Sequence, residues 1–252
     1  MKIKKILISQ PRPVGDKSPY FDIAARYGVE MVFRPFIKTE GLTAKEFRQT
    51  KINLADYTAV ILTSRTAIDN YFRLAEESRF KVPDTMRYFC TTEAIALYLQ
   101  KYIVYRKRKI SFGATGKLND AQLLAAMDKN KKEKFLFPVS DVHNEDPTIL
   151  AEHKLDVTKA VMFRTVSNDF QPDEDKDYDL FIFFSPSGIE SLKKNFPDMD
   201  SVKGKIAIGG FGPATLKAIE DAGLDADIAA PTPQHRSMPD ALAAFLEKNK
   251  EE

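Results

Sequence analysis

Apolar positions along the chain fall into short β-branched and leucine-rich runs that alternate with stretches of helical spacing. Residues 4–9 form the first run, 20–27 have the period of an amphipathic helix stopped by Gly28, and 29–33 form a second run. Strand, helix, strand is the βαβ unit of a parallel sheet, with a right-handed crossover. The pattern then predicts strands at 59–63, 88–90, 134–138, 156–166, 180–184, 205–208 and 226–229. Helices are predicted near 67–77, 93–101, 120–129, 188–195, 213–222 and 239–248. Such alternation specifies an α/β protein built on doubly wound parallel sheets.

An internal repeat points to two lobes. Ile61-Leu62-Thr63-Ser64-Arg65-Thr66-Ala67-Ile68-Asp69 lies without a gap over Ile182-Phe183-Phe184-Ser185-Pro186-Ser187-Gly188-Ile189-Glu190. A second pair, starting at Phe89 and at Gly210, follows each at nearly the same distance. Two further stretches, around 34–39 and 160–166, look extended and fall outside the alternation. Paired side by side they make a two-stranded β hinge. The expected layout is then one lobe from 1–34 plus 167–252, a second lobe at 41–160 inserted into it, and hinge strands at 35–40 and 161–166.

Composition narrows the function classes. With 252 residues, 43% of them hydrophobic, either one large or two small cores can form. Thirty-eight Lys and Arg against 36 Asp and Glu leave no global field for nucleic acid or an anionic membrane, so neither is an expected partner. No apolar stretch approaches the ~20 residues of a membrane span. The opening apolar run stops at Ser9-Gln10-Pro11, too short for a signal-peptide core. One cysteine, Cys90, excludes an internal disulfide and suits a reducing compartment. The expectation is a cytoplasmic monomer.

In open α/β sheets ligands sit beyond the carboxyl ends of the strands, where helix N-termini present unpaired N–H groups. Both repeated turns fall there. Ser64 and Thr66, like Ser185 and Ser187, either cap the following helix or turn their hydroxyls to a ligand carboxylate. Residues 206–215 read as a strand, a glycine turn (Gly209, Gly210, Gly212) and a helix opening at Pro213. That turn lacks the third glycine of a dinucleotide fingerprint, and the chain has no P-loop, so no nucleotide cofactor is expected. His143, His153 and His235 have no zinc spacing, and no nucleophile with its base is evident. The polar run 141–146 reads as a solvated loop, and the segment 229–239 sets His235 and Arg236 near the rim of the cleft.

Taken together, Leu62-Thr63-Ser64-Arg65, Phe183-Phe184-Ser185-Pro186-Ser187-Gly188, Ile206-Ala207-Ile208-Gly209 with Gly212-Pro213-Ala214-Thr215, and Pro231-Thr232-Pro233 resemble the uroporphyrinogen-III synthase family. The resemblance spans nearly the whole chain and is strongest from Leu180 onward. It implies two flavodoxin-like lobes joined by a β-ladder, and a cofactor-free, metal-free lyase. That enzyme closes a linear tetrapyrrole, hydroxymethylbilane, into uroporphyrinogen III with loss of water and inversion of the last ring.

The resemblance further implies substrate contacts at Thr63, Ser64, Arg65, Thr66, Thr92, Ser185, Ser187, Gly188, Gly212, Pro213, Ala214 and Thr215. Position alone nominates Arg12, Arg34, Lys38, Arg164 and Arg236 as carboxylate-binding cations, and no residue is assigned a catalytic role. The sequence departs from the family in three places. Phe163 stands where a hinge tyrosine is usual, Ala214 replaces the first of two threonines, and Cys90-Thr91-Thr92-Glu93 lacks the usual glycine. The alternative is a non-catalytic two-lobed binding or regulatory protein for a small polyanion.

Overall fold

The computed structural model describes residues 2–15, 17–142, 148–198 and 202–249. The chain divides into two compact units, Met1–Lys38 with Val166–Glu252, and Thr39–Thr165. Each has its own sheet and its own pair of apolar layers.

The first unit holds a five-stranded parallel sheet of β1 (Lys5–Ile8), β2 (Glu30–Phe33), β9 (Leu180–Phe183), β10 (Ala207–Phe211) and β11 (Ile228–Ala230). Their order in space is β2-β1-β9-β10-β11, the flavodoxin arrangement. Because strand side chains alternate between faces, the apolar runs feed two layers at once. Ile6, Ile8 and Ile182 pack with Tyr20 and Ile23 of α1 (Pro19–Tyr27) and Leu242 and Leu246 of α9 (Met238–Lys248). Leu7, Phe181 and Phe183 pack with Ile189 and Leu192 of α7 (Pro186–Asn195) and Ile219 of α8 (Pro213–Asp221).

The second unit holds β4 (Ala59–Leu62), β5 (Arg87–Cys90), β6 (Ile110–Phe112), β7 (Lys134–Ser140) and β8 (Asp156–Ser167), with β3 (Ile37–Gly41) entering at the edge. The order is β3-β8-β7-β4-β5-β6. Val60, Leu62 and Tyr88 face α3 (Arg65–Glu77) and α4 (Glu93–Tyr98), while Ile61, Phe89 and Phe135 face α5 (Ala121–Asp128). Backbone bonds from Asn168 N to Phe36 O (2.8 Å) and from Leu42 N to Met162 O (2.9 Å) set the two crossing segments antiparallel.

The two sheets share one plan under a changed connectivity. Read across space, β2-β1-β9-β10-β11 corresponds to β8-β7-β4-β5-β6. The sequence repeat that matched Ser64 to Ser185 therefore aligns central strand with central strand, β4 with β9.

Three differences from the sequence reading have physical causes. Gly209 and Gly210 belong to β10 rather than to a turn, in register with Ile228 and Ala229. A Cβ on Gly210 would lie 2.7 Å from Ile219 Cδ1 and 2.8 Å from Leu216 Cδ2, so glycine is there to let α8 approach the strand. Only Gly212, at φ +89, turns the chain. The structure also adds α2 (Ala44–Gln49), β6 and α6 (Thr148–Glu152), elements too short to show a period; α2 is set instead by a Thr43–Glu46 capping box and buries Phe47. The predicted 93–101 helix tightens into a 3-10 turn at Leu99–Lys101.

Candidate functional site

In a doubly wound sheet the crevice opens where successive connections leave to opposite faces. In the first unit that point lies between β1 and β9, because α1 covers one face and α7 the other. In the second it lies between β7 and β4, whose following helices α6 and α3 lie on opposite faces. Ser185 and Ser64 stand at the carboxyl ends of β9 and β4, so each repeated turn occupies the switch point of its own sheet.

Both serines have extended backbones and cap the helices that follow. Ser64 Oγ accepts from Ala67 N (3.0 Å), and Ser185 Oγ accepts from Gly188 N (3.3 Å). Thr92 does the same for Ile95 N (3.3 Å). A hydroxyl has two acceptor lone pairs and one proton, so each cap keeps an O–H to donate. Thr63, Ser64, Thr66, Ser187 and Thr92 are half-buried, while Arg65 is exposed. Gly188 is buried, its Cβ position 3.0 Å from Phe183 Cδ1, which holds the start of α7 against β9.

The neighbouring turns differ between units. In the first, α8 starts at Gly212 and Pro213 with Ala214 exposed and Thr215 buried, its N–H directed to Gly212 O (3.1 Å). In the second, the turn after β6 fills itself. Asp120 accepts from Leu123 N, Ala114 N and Thr115 N, all at 3.0 Å, and these N–H groups hold its carboxyl down to about 2. Beside it Thr91 is fully buried, its Oγ1 without a hydrogen-bond partner. Sequence reasoning passed over Asp120 and Thr91. The Asn119-Asp120 step ahead of α5 is a readable N-cap signal, but nothing in the sequence tells that the same carboxylate closes the loop before it.

The nominated cations separate by what already holds them. Arg34 is the most fully engaged of them. Its guanidinium grips Glu174 through both oxygens (2.8 Å each), bonds Pro35 O, Asn168 O and Asp169 O, and lies 3.6 Å from the Phe170 ring centroid. At 11% side-chain exposure it is a structural tie, with no donor left for a ligand. Arg164 is likewise committed, to Glu46 (2.8 Å), which is itself the capping-box acid of α2. Lys38 is exposed but engaged. Arg12 lies over Phe21 (4.9 Å) and Arg65 over Tyr98 (5.2 Å), stacking that leaves their charge unneutralised. Arg236 is exposed, next to the turn that Thr232 and His235 close through mutual bonds of 2.7 and 2.9 Å.

His153 bonds Asp128 (2.9 Å), and His143 lies outside the described residues. Phe163 is buried within β8, opposite Ser140 where a bulge breaks the register. Its side chain carries no proton to transfer.

The profile of the uroporphyrinogen-III synthase HemD family matches residues 20–240. The chain belongs to the uroporphyrinogen-III synthase family. Membership makes it a lyase of tetrapyrrole and heme synthesis, and the non-catalytic binding protein is not favoured. Among solved structures, the uroporphyrinogen-III synthetase of Helicobacter pylori is similar over 98% of this chain and 100% of its own, with 15% identity and a TM-score of 0.53. That likeness supports the two-lobed synthase fold. A mutant uroporphyrinogen III synthase from Thermus thermophilus aligns over 99% of this chain and 100% of its own, with 13% identity and a TM-score of 0.44. No curated protein matches the chain in sequence. Among the described residues no helix is long and apolar enough to cross a membrane.

Proposed function

We propose that the chain acts on hydroxymethylbilane, binding substrate carboxylates at switch-point turns of the kind each sheet carries, and closes it to uroporphyrinogen III. The observation that carries this is the free O–H on each capping serine, set beside unpaired helix N–H groups at equivalent positions of two sheets. Ser185, Ser187 and the N-terminus of α8 at Gly212–Thr215 act in the first unit; Thr63, Ser64, Arg65, Thr66 and Thr92 act in the second. Arg12 and Arg236 supply further positive charge.

The chemistry asks for geometry more than for a strong base. Loss of the substrate's hydroxyl leaves an azafulvene-like cation, the terminal ring attacks through its substituted carbon, and the spiro intermediate fragments and recloses inverted. Since the linear tetrapyrrole closes unaided to the type I isomer, the enzyme's contribution is to favour one approach of the reacting carbons. With phenylalanine at position 163, the proton for the leaving hydroxyl does not come from that side chain. Incubation with hydroxymethylbilane followed by separation of the isomers tests the reading: type III product is expected. Type I alone, at the uncatalysed rate, would refute it.

A further inference from the structure

We infer that the second unit carries a separate binding site for a flat aromatic anion, in a cavity of about 700 Å³ between α3 and the turn that leads into β6. Met86, Tyr88 and Ile110 line it, and these stand at the amino ends of β5 and β6. The Ser64 and Thr92 turns lie at the opposite, carboxyl ends, so the cavity is not an extension of the tetrapyrrole-binding turns. Its size is that of small-molecule sites, typically about 300–1,000 Å³.

The chemistry of the walls selects the ligand. Phe72 and Tyr102 stack with centroids 4.5 Å apart and planes 3° from parallel, and Tyr88 lies 6.3 Å from Phe72 at 30°. The half-buried rings of Phe72 and Tyr102, with Tyr88 buried next to Phe72, suit a flat ring system. Val104 stands at the mouth with 78% of its surface exposed. Arg106 and Lys109 line the same rim, and Lys107 and Arg108, exposed on the 3-10 turn between them, add positive charge beside it. Arg106 pairs with Asp84 at 3.3 Å, and Lys109 donates to the Asp84 carbonyl, which leaves its charge uncancelled.

The other charged groups of the wall are taken up. Asp69 accepts from Tyr98, Tyr102 and Lys101, and Arg73 is spent on Glu77, Asn70 and Leu42 O. Glu76 is the remaining acid of the lining, against Lys109 in the lining and the exposed Lys107 and Arg108 next to it. An apolar, ring-faced cavity with surplus positive charge at its mouth fits an aromatic carboxylate or sulfonate rather than a neutral ring or a cation. This inference does not rest on the synthase reading.

Anilinonaphthalene sulfonate and its neutral counterpart phenylnaphthylamine, which share their rings and differ in the charge, test it by fluorescence titration of the full chain. The expected result is one saturable site that prefers the sulfonate by roughly tenfold, a preference that shrinks as salt rises. Val104→Glu, at an exposed position, should weaken sulfonate binding by roughly tenfold and leave the neutral probe nearly unchanged. Glu76→Gln should strengthen it. Type III synthesis should persist in both variants. Absence of saturable binding, equal affinity for the two probes, or sulfonate binding indifferent to Val104→Glu in a folded variant would each overturn the inference.

Discussion

Replacing Ser64 separates its two roles, because alanine and aspartate remove different atoms. Ser64→Ala deletes both the acceptor for Ala67 N, now 3.0 Å away, and the donor O–H. Loss of such a cap costs about 1 kcal/mol, within a range of about 0.5–2. Ser64→Asp keeps an acceptor in reach of the same N–H and adds negative charge at the start of α3, which its dipole favours by about 0.3–1 kcal/mol. Stability should therefore fall in the alanine variant and hold or rise in the aspartate variant.

Turnover should order the other way. Alanine removes one hydrogen bond to a substrate carboxylate among several, a modest rise in KM. Aspartate sets a carboxylate against a carboxylate and has no proton to donate. That lost bond is common to both variants, so the excess in aspartate is the carboxylate–carboxylate repulsion, about 1–4 kcal/mol at about 4 Å, which raises KM roughly fivefold or more above that of alanine. Urea unfolding gives the stabilities, and the isomer assay gives KM and kcat. If Ser64→Asp is stable and keeps the KM of the unaltered chain, the hydroxyl does not meet the substrate and the turn is only a cap.

Arg34→Ala should cost about 3 kcal/mol in urea unfolding, because it strips Glu174 and three backbone carbonyls of their donor; a loss confined to KM would return Arg34 to the ligand-binding set. Acid should weaken the fold. Glu174, bonded by Arg34, and Glu46, bonded by the Thr43 backbone and hydroxyl and by Arg164, are both held down to about 2. Their folded-state values lie below the unfolded ones, so the stabilisation is complete above the unfolded values and is lost as pH falls from about 5 toward 2. Glu174→Gln should flatten the slope of urea midpoint against pH across that window, and an unchanged slope would contradict this. Cys90 is buried and its thiol is pushed up to about 12, so Ellman's reagent should label it only as the second unit opens, with a rate that rises with urea.

Much of this was legible in the sequence for a definite reason. Strands such as Ala59–Leu62 are buried on both faces and read as unbroken apolar runs, and helices such as α3 and α7 announce themselves by Ser at the cap, followed in α7 by Pro. The switch-point turns were legible because the repeat preserved them in both halves. Sequence pattern failed where a residue's role depends on partners far along the chain. Arg34 meets Glu174 across 140 positions and Arg164 meets Glu46 across 118, so no local spacing could show that these cations are spent. Gly210 failed for a related reason: a glycine in a strand and a glycine in a turn look alike until the helix that presses on it is seen.

The common plan of the two sheets makes their differences informative. Because β4 corresponds to β9 and β5 to β10, the α3 turn should be judged against the α7 turn, and the α4 turn against the α8 turn. The first comparison finds likeness: Ser64 and Ser185 are both extended, both cap through Oγ, and both retain a proton. The second finds divergence. Gly212 and Pro213 open a nine-residue helix, whereas Thr92 opens a six-residue one, next to a loop whose N–H groups at Ala114 and Thr115 already face the carboxylate of Asp120. N–H groups that hold an internal carboxylate are closed to a substrate one. Under the proposed reading, anchoring should therefore rest on Ser185, Ser187 and Ala214 N in the first unit and on the α3 turn with Thr92 in the second, without the Ala114–Thr115 loop. Substitutions at Ser185 and Ser64 should accordingly raise KM, whereas Thr115→Val, in the loop that Asp120 already fills, should leave it nearly unchanged.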